Sequence, residues 1–494
     1  MKKFGIRLLV LLMVVSLCSC NKTDYQNVIP ANATLVAKVD VRNMAEKSDV
    51  AHSKMMDLLK TYIMLVVNGK DEKQAKEYID DPMAMGFDFS MPVYLFMVGN
   101  EQAGLTMKVA DEDAVKDFLM LLHKQRLASK PVEKHELMCG TLLDEIYYSY
   151  DGKTFLMLAA LGESRASRLE QMAQQLMNQT EDDSFVSTDA FRRMEDENDK
   201  DVVLYSTLAA LPNELSKEVA PFLPTTVKLS DIDMVATLLF GQGKMELNAQ
   251  LKGSPMAQTL VFDEAEKNLL CMSGEYLDKL TDEAALWMGT GVKGEWLREQ
   301  LKKHPKWKEL LFMMERGIDI EWMLKEIEGD VAIEIRNVDQ GTKAETLDFD
   351  AYAEVKDTPF LVDVDDWKES MKEYGMTMQE VGEKQYVLNA EGNTIAWGVE
   401  DNNLYFTTRI APSFERSQAL KDYERDISGS KVFVYVDMTK FQLENVAKTQ
   451  SQLWLNNGLG AMKTLTLKMP SAQQLTLTVQ MENEDENFLK QILK

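Results

Sequence analysis

Two rhythms of apolar residues run through this chain, and they separate its helices from its strands. Val115, Phe118, Leu119 and Leu122 recur three and four apart, which predicts an amphipathic helix over 112–125 with Asp111 able to cap it. The same spacing predicts helices over 51–67 and 163–177. Short apolar runs predict strands at 93–98, 202–205, 331–335 and 432–435. Runs split by turn residues predict hairpins at 146–156 and 395–405. Two more hairpins are expected at 234–251, turning at Gly241-Gln242-Gly243, and at 464–481, turning at Pro470-Ser471-Ala472. Strands and helices do not alternate regularly. The expected class is therefore α+β, with antiparallel or mixed sheets covered on one face by amphipathic helices.

These elements recur in order, which predicts an internal duplication. Ile29–Val39 leads into a helix near Met44, and Leu280–Met288 leads into one near Glu295. Gly86-Phe87-Asp88-Phe89 precedes the strand at 93–98; Gly317-Ile318-Asp319-Ile320 precedes that at 331–335 across a longer insert. Asp111 and either Asp365 or Asp366 open the next helices, and the hairpins and late strands follow in the same sequence. Copy one is placed at 28–253 and copy two at 280–483. A helical connector spans 254–279, and a tail helix spans 484–494.

Met1-Lys2-Lys3, Arg7 and the apolar core Leu8–Val15 read as a secretory signal over 1–19, too short to span a bilayer. Its end, Leu17-Cys18-Ser19-Cys20, resembles the lipobox of bacterial lipoproteins, which implies acylation of Cys20 and a lipidated tether over 20–27. An ordinary cleaved signal is the alternative. The lipobox, Val28-Ile29-Pro30-Ala31-Asn32-Ala33, the Val39-Asp40-Val41 helix entry and the doubled layout together resemble a family of envelope lipoproteins. That family comes from gut-type Gram-negative anaerobes and carries only a domain-of-unknown-function label. The resemblance implies an outer-membrane location and no assigned reaction. Which face of that membrane the protein occupies stays open, because Lys22 with Asp24 half matches a surface-export signal.

A net charge of −25 repels phosphate backbones, which argues against nucleic acid, and it offers no basic patch for anionic lipid. Membrane attachment is thus assigned to the acyl chains. Cys139 and Cys271 are expected to be two independent buried thiols, with a bridge as the alternative. The 32 methionines are expected to fill imperfect cores.

No catalytic motif emerges. The four histidines (His52, His123, His135 and His304) lack metal-ligand spacing, and nucleophile elbows and phosphate-cradling glycine loops are missing. The acidic clusters at 195–201, 348–350 and 363–366 read as solvated loops rather than calcium sites. No cofactor is expected. All seven tryptophans lie in copy two. Trp296 and Trp307 bracket the most cationic stretch, with Arg298, Lys302, Lys303, Lys306 and Lys308. Aromatic faces stack on sugars and anchor interfaces, so residues 295–310 are the expected recognition surface. The competing reading packs these rings into a core.

The sequence thus points to a monomeric, non-enzymatic envelope lipoprotein that binds a glycan, a peptide or an envelope protein. The alternative is a carboxylate-dependent hydrolase acting on envelope or dietary polymer.

Overall fold

The computed structural model describes residues 24–493 apart from 54–55, 58–59, 62–66, 68–70, 100, 161–165, 198, 280, 316, 337–347, 391–392, 410–417 and 442–459. Cys20 with the signal segment, most of the helix expected at 51–67, and Trp454 lie outside the described residues. The chain divides into two compact units. One holds residues up to Met44 with Met56–Tyr205; the other holds Ala45–Met55 with Ser206–Lys494.

The strands of the first unit are β1 (Leu35–Val39), β2 (Val93–Val98), β3 (Gln102–Lys108), β4 (Val132–Lys134), β5 (Leu137–Leu142), β6 (Ile146–Tyr150), β7 (Thr154–Ala160) and β8, which begins at its boundary (Val202–Thr207). They pair in the order β4-β5-β6-β7-β3-β2-β1-β8. Every pair from β4 to β1 is antiparallel. The β6–β7 turn closes because the Asp151 carboxylate accepts from the backbone N–H groups of Lys153 and Thr154 at 2.8 and 2.7 Å.

Helix α1 (Glu112–Lys124) starts where its pattern predicts, with Asp111 Oδ1 accepting from Ala114 N at 3.1 Å. It packs Val115 and Leu119 onto Tyr148, Tyr150 and Phe155. Helix α2 (Ala166–Met177) also packs on β6 and β7. Leu156 and Leu158, which point to the face opposite Phe155, are buried as well. The middle of this sheet is therefore covered on both faces, not on one. Two buried faces also explain why β7 reads as an unbroken apolar run.

The second unit carries β9 (Ile232–Phe240), β10 (Lys244–Gly253), β11 (Leu269–Leu270), β12 (Leu286–Lys293), β13 (Ile327–Ile335), β14 (Phe349–Val355), β15 (Thr377–Gly382), β16 (Gln385–Ala390), β17 (Asn393–Glu400), β18 (Asn403–Thr407), β19 (Val432–Asp437), β20 (Met462–Ser471) and β21 (Gln474–Met481). They pair in the order β15-β16-β17-β18-β14-β13-β12-β19-β20-β21-β10-β9, antiparallel throughout. The short β11 adds to the far end of β12. Its helices include α3 (Asn213–Val219), α4 (Gly294–Lys303), α5 (Pro305–Met314), α6 (Ile320–Lys325) and α7 (Val364–Glu373).

Around β14 this sheet too is buried on both faces. Ala353 belongs to a core with Trp367, Met371 and Trp397 beneath α7, whereas its neighbour Tyr352 belongs to a second core with Trp287, Tyr276 and Phe433. Asp365 and Asp366 do not cap α7. They lie in its first turn, where they favour the helix dipole, and Asp363 holds the cap position without a side-chain bond. The connector helix ends at Asn268, so Leu269 and Leu270 form β11 and Cys271 is exposed rather than buried. Cys139 is buried, and both thiols are free.

Candidate functional site

Helices α4 and α5 meet at a single residue. Pro305 lacks an N–H and cannot continue α4, yet its fixed φ suits the first position of a new helix. His304 therefore ends one helix and begins the next in extended conformation (φ −86°, ψ 125°). Its side chain is only 3% exposed. The ring stacks on Phe222, with centroids 5.5 Å apart, and Nε2 lies 3.1 Å from Glu218 Oε2. Glu218 also accepts from Lys306 Nζ at 2.6 Å, which holds its carboxyl below the usual range.

The five residues predicted to form the recognition surface separate on this scaffold. Trp296 is half-buried and packs against the core around Trp367 and Trp397. Arg298 is nearly buried among Glu295 (2.8 Å), Glu299 (2.6 Å) and Glu321 (3.5 Å). Lys302 also pairs with Glu321, and Lys306 with Glu218. Lys303 donates to Gln300 Oε1 at 2.9 Å. Among the described residues Lys303 and Lys308 have no carboxylate partner, so the stretch is much less cationic than its sequence suggests. Glu295 and Glu299 within the stretch neutralise Arg298, and Glu218 and Glu321 from outside it take up Lys306 and Lys302.

Trp307 alone of the predicted aromatics faces solvent, at 47% exposure. Leu310 and Phe312 stand exposed on the same helix, while Leu311 between them is buried. Sequence reasoning named Trp307 for this surface but did not name Leu310 or Phe312. Other tryptophans follow the competing reading: Trp287, Trp367 and Trp397 are buried, and Trp322 packs against the core.

A second constellation includes the 348–350 acidic cluster, which is not a solvated loop, because Asp350 is buried on β14. Glu334 on β13 stands opposite Asp350 on β14, and Asp350 stands opposite Thr407 on β18. Both carboxylates are completely buried. Arg336 lies 2.6 Å from Asp350 Oδ2, 2.5 Å from Asp348 Oδ1 and 3.9 Å from Glu334 Oε2. Thr281 donates its hydroxyl (2.5 Å) and backbone N–H (3.2 Å) to Glu334, and the Thr407 hydroxyl donates to Asp350. Burial pushes the Glu334 carboxyl above its ordinary range, against the pull of Thr281 and Arg336. The hydrogen bond from Arg336 holds Asp348 below its own. Burial works against the Arg336 charge, but its bonds to Asp348 and Asp350 win and keep it firmly protonated.

The first unit has a three-strand row of its own, with Phe96 opposite Gly104 and Gly104 opposite Leu158. There the Phe96 ring fills the space a Gly104 side chain would need, since a Cβ would come within 2.1 Å of it. One row is apolar and the other ionic.

Among the described residues no group of three His, Cys, Asp or Glu side chains is placed to hold a metal, and no helix is long and apolar enough to cross a membrane. Each opposed carboxylate is already committed to Arg336 or a threonine.

These features define a mixed α+β protein built on antiparallel sheets. The chain belongs to the family described as Domain of unknown function (DUF4836), which matches residues 25–453. No curated protein matches it. Among solved structures it is similar to crystal form IV of TP0453, with 12% identity, 46% of this chain and 81% of that chain covered, and a TM-score of 0.28. Crystal form I of TP0453 gives 13% identity, 47% and 79% coverage, and a TM-score of 0.27. Superposition at this level says nothing of what the chain does.

Proposed function

We propose that this is a non-enzymatic envelope lipoprotein, anchored through Cys20 in the outer membrane, that recognises a partner with the outer surface of α5. The observation that carries this is the exposed set Trp307, Leu310 and Phe312 on a helix fixed from behind by Leu311 and His304. Exposed aromatic and aliphatic side chains on a rigid element give contact area at little entropic cost.

The reading includes an internal duplication. Its support is the strand order: β4-β5-β6-β7-β3-β2-β1-β8 in one unit and β15-β16-β17-β18-β14-β13-β12-β19 in the other. Along the chain a helix also separates β3 from β4 and β14 from β15, α1 in one case and α7 in the other. On this reading Glu334, Arg336, Asp350 and Thr407 occupy the places of Phe96, Val98, Gly104 and Leu158. The second copy then keeps the frame and carries α4 and α5 between β12 and β13, where the first copy carries the helices Val41–Ser48 and Asp71–Asp80 between β1 and β2. The hydrolase alternative draws no support from Glu334 and Asp350, which are buried and fully ligated.

A photoreactive residue in place of Trp307, activated in intact envelopes, tests the reading. Adducts at 307 that are absent at a control position such as Glu373 are expected. If position 307 yields no adduct to protein, glycan or lipid, the recognition surface is elsewhere.

A further inference from the structure

Tyr25 lies only five positions after Cys20, yet there the chain is already inside the first unit. Tyr25, Val28 and Ile29 are 3% exposed or less. The short helix Asp24–Val28 is bonded to the strands beneath it. Tyr25 O accepts from the Thr106 hydroxyl at 3.0 Å, and the Tyr25 hydroxyl donates to Pro92 O at 2.8 Å. Gln26 Nε2 donates to the Tyr94 hydroxyl at 2.8 Å. Further on, Gln179 Nε2 donates to Asn27 O at 2.8 Å and Phe185 N–H to Ile29 O at 2.9 Å. The segment is part of the fold and supplies no slack.

Register fixes which end of the sheet receives it. Thr106 stands opposite Tyr94 and Leu156, near the start of β2, the end of β3 and the start of β7. From that end project the loops 88–92, 109–111 and 151–153. They are tied together where Asp88 N–H donates to Lys108 O at 2.9 Å and Val109 N–H to Lys153 O at 2.8 Å. By Thr34 the segment has crossed to the opposite end, where Thr34 N–H donates to Met97 O at 2.9 Å beside the β2–β3 turn.

From these features we propose that the end of the first unit formed by loops 88–92, 109–111 and 151–153 lies on the phospholipid headgroups of the membrane that holds the Cys20 acyl chains. This rests on the reading of Cys20 as the anchor and adds the surface that meets the lipid. Five residues fully extended span at most about 18 Å. Crossing the headgroup layer takes about 6 Å of that, so Tyr25 stands within about 12 Å of the headgroup surface. A compact chain of the first unit's size is roughly 40 Å across. The unit can therefore neither stand off from the bilayer nor turn its far end toward it. The short tether imposes this contact without any charge attraction, even on a chain of net charge −25.

The test is energy transfer from a single fluorophore to headgroup-labelled acceptor lipids, with the lipidated full chain in phosphatidylcholine vesicles. Ser90 is exposed at the proposed contact, and Glu101 is exposed at the opposite end of β2. Ser90→Cys and Glu101→Cys are labelled in a Cys271→Ser chain, since Cys139 is buried. Gly152→Cys on the neighbouring loop is a second contact probe, and variants that keep the wild-type thermal midpoint are compared. Transfer from positions 90 and 152 should exceed that from position 101. A ~20-residue Gly/Ser insert after Thr23 adds roughly 25 Å of reach and should bring transfer from position 90 down to the level at 101. Equal transfer from the two ends of the uninserted chain overturns the proposal, as does transfer from position 90 that the insert leaves unchanged. Mass spectrometry of the mature N-terminus separates the two readings. An acylated Cys20 with equal transfer removes only the lipid contact, whereas an unacylated Cys20 removes the anchor and the contact together.

Discussion

Glu334 stands directly opposite Asp350 across the β13–β14 ladder, both with no exposed surface, and Arg336 reaches toward both. Like charges facing across a ladder destabilise a sheet. Here the cost is offset by the guanidinium and by a Glu334 carboxyl that burial drives toward its neutral form. Removing Arg336 leaves Asp350 buried without its counter-charge. Arg336→Val should therefore cost about 3–5 kcal/mol. The combined change Glu334→Phe, Arg336→Val, Asp350→Gly and Thr407→Leu installs the apolar row of the first unit and should cost less than Arg336→Val alone. Urea unfolding midpoints decide this. A combined variant less stable than the single one would refute the correspondence of the two rows.

The same cluster sets opposite pH dependences. Asp348 has a depressed native pKa, so its stabilisation is present above the ordinary Asp value of about 3.9 and is lost as pH falls through the native one. Glu334 has a raised native pKa, so its contribution is complete below about 4.3 and is lost as pH rises through the native value. Asp348→Asn should lower the thermal midpoint at about pH 7, with the loss shrinking toward about pH 3. Glu334→Gln should gain on the wild type as pH is raised from acid to neutral. Offsets that stay constant with pH would contradict both assignments.

Two tryptophans should respond in opposite ways to truncation. Trp397 is 1% exposed and stacks on Tyr386 at 4.6 Å and Phe406 at 6.0 Å. Trp397→Ala opens a cavity beneath α7 and should cost about 3–5 kcal/mol. Trp307→Ala removes a side chain that faces solvent, so stability should stay within about 0.5 kcal/mol. Comparable losses in denaturant unfolding would mean that Trp307 is a packing residue.

Gly294, where β12 gives way to α4, allows a close approach. A Cβ there would lie 1.7 Å from the Leu324 carbonyl oxygen of α6, and a backbone atom cannot rotate away. Gly294→Ala should push α6 from α4 and cost about 1–3 kcal/mol. Gly241→Ala, whose Cβ would meet nothing closer than 3.6 Å, is the control and should leave the midpoint nearly unchanged.

Most of the frame was legible because it depends on local rules. The strand at Val93–Val98, the helix beginning at Glu112 and the Gly241-Gln242-Gly243 turn all sit where periodicity and turn chemistry put them. The strand β4 went unseen, since Val132-Glu133-Lys134 is exposed throughout and carries no buried face to pattern, and β15 and β16 went unseen although Met378 and Tyr386 are buried. The candidate site was half legible. A Trp–Lys stretch interrupted by Pro305 marks unusual chemistry, but nothing near it tells that Glu218 and Glu321 will take up Lys306 and Lys302.

The sequence by itself determined what depends on neighbours in the chain: the helix start at Glu112, the Gly241-Gln242-Gly243 turn and the break between α4 and α5 at His304. Only the tertiary structure decided which apolar residues face water and which charges are spent. Trp296 and Trp307 have the same side chain and sit eleven positions apart, yet one packs on a core and the other faces solvent. Glu334 falls in an expected strand and Asp350 in an expected solvated loop, yet the ladder sets them face to face beside Arg336. Burial and pairing arise between segments far apart in the chain, so no local pattern can carry them.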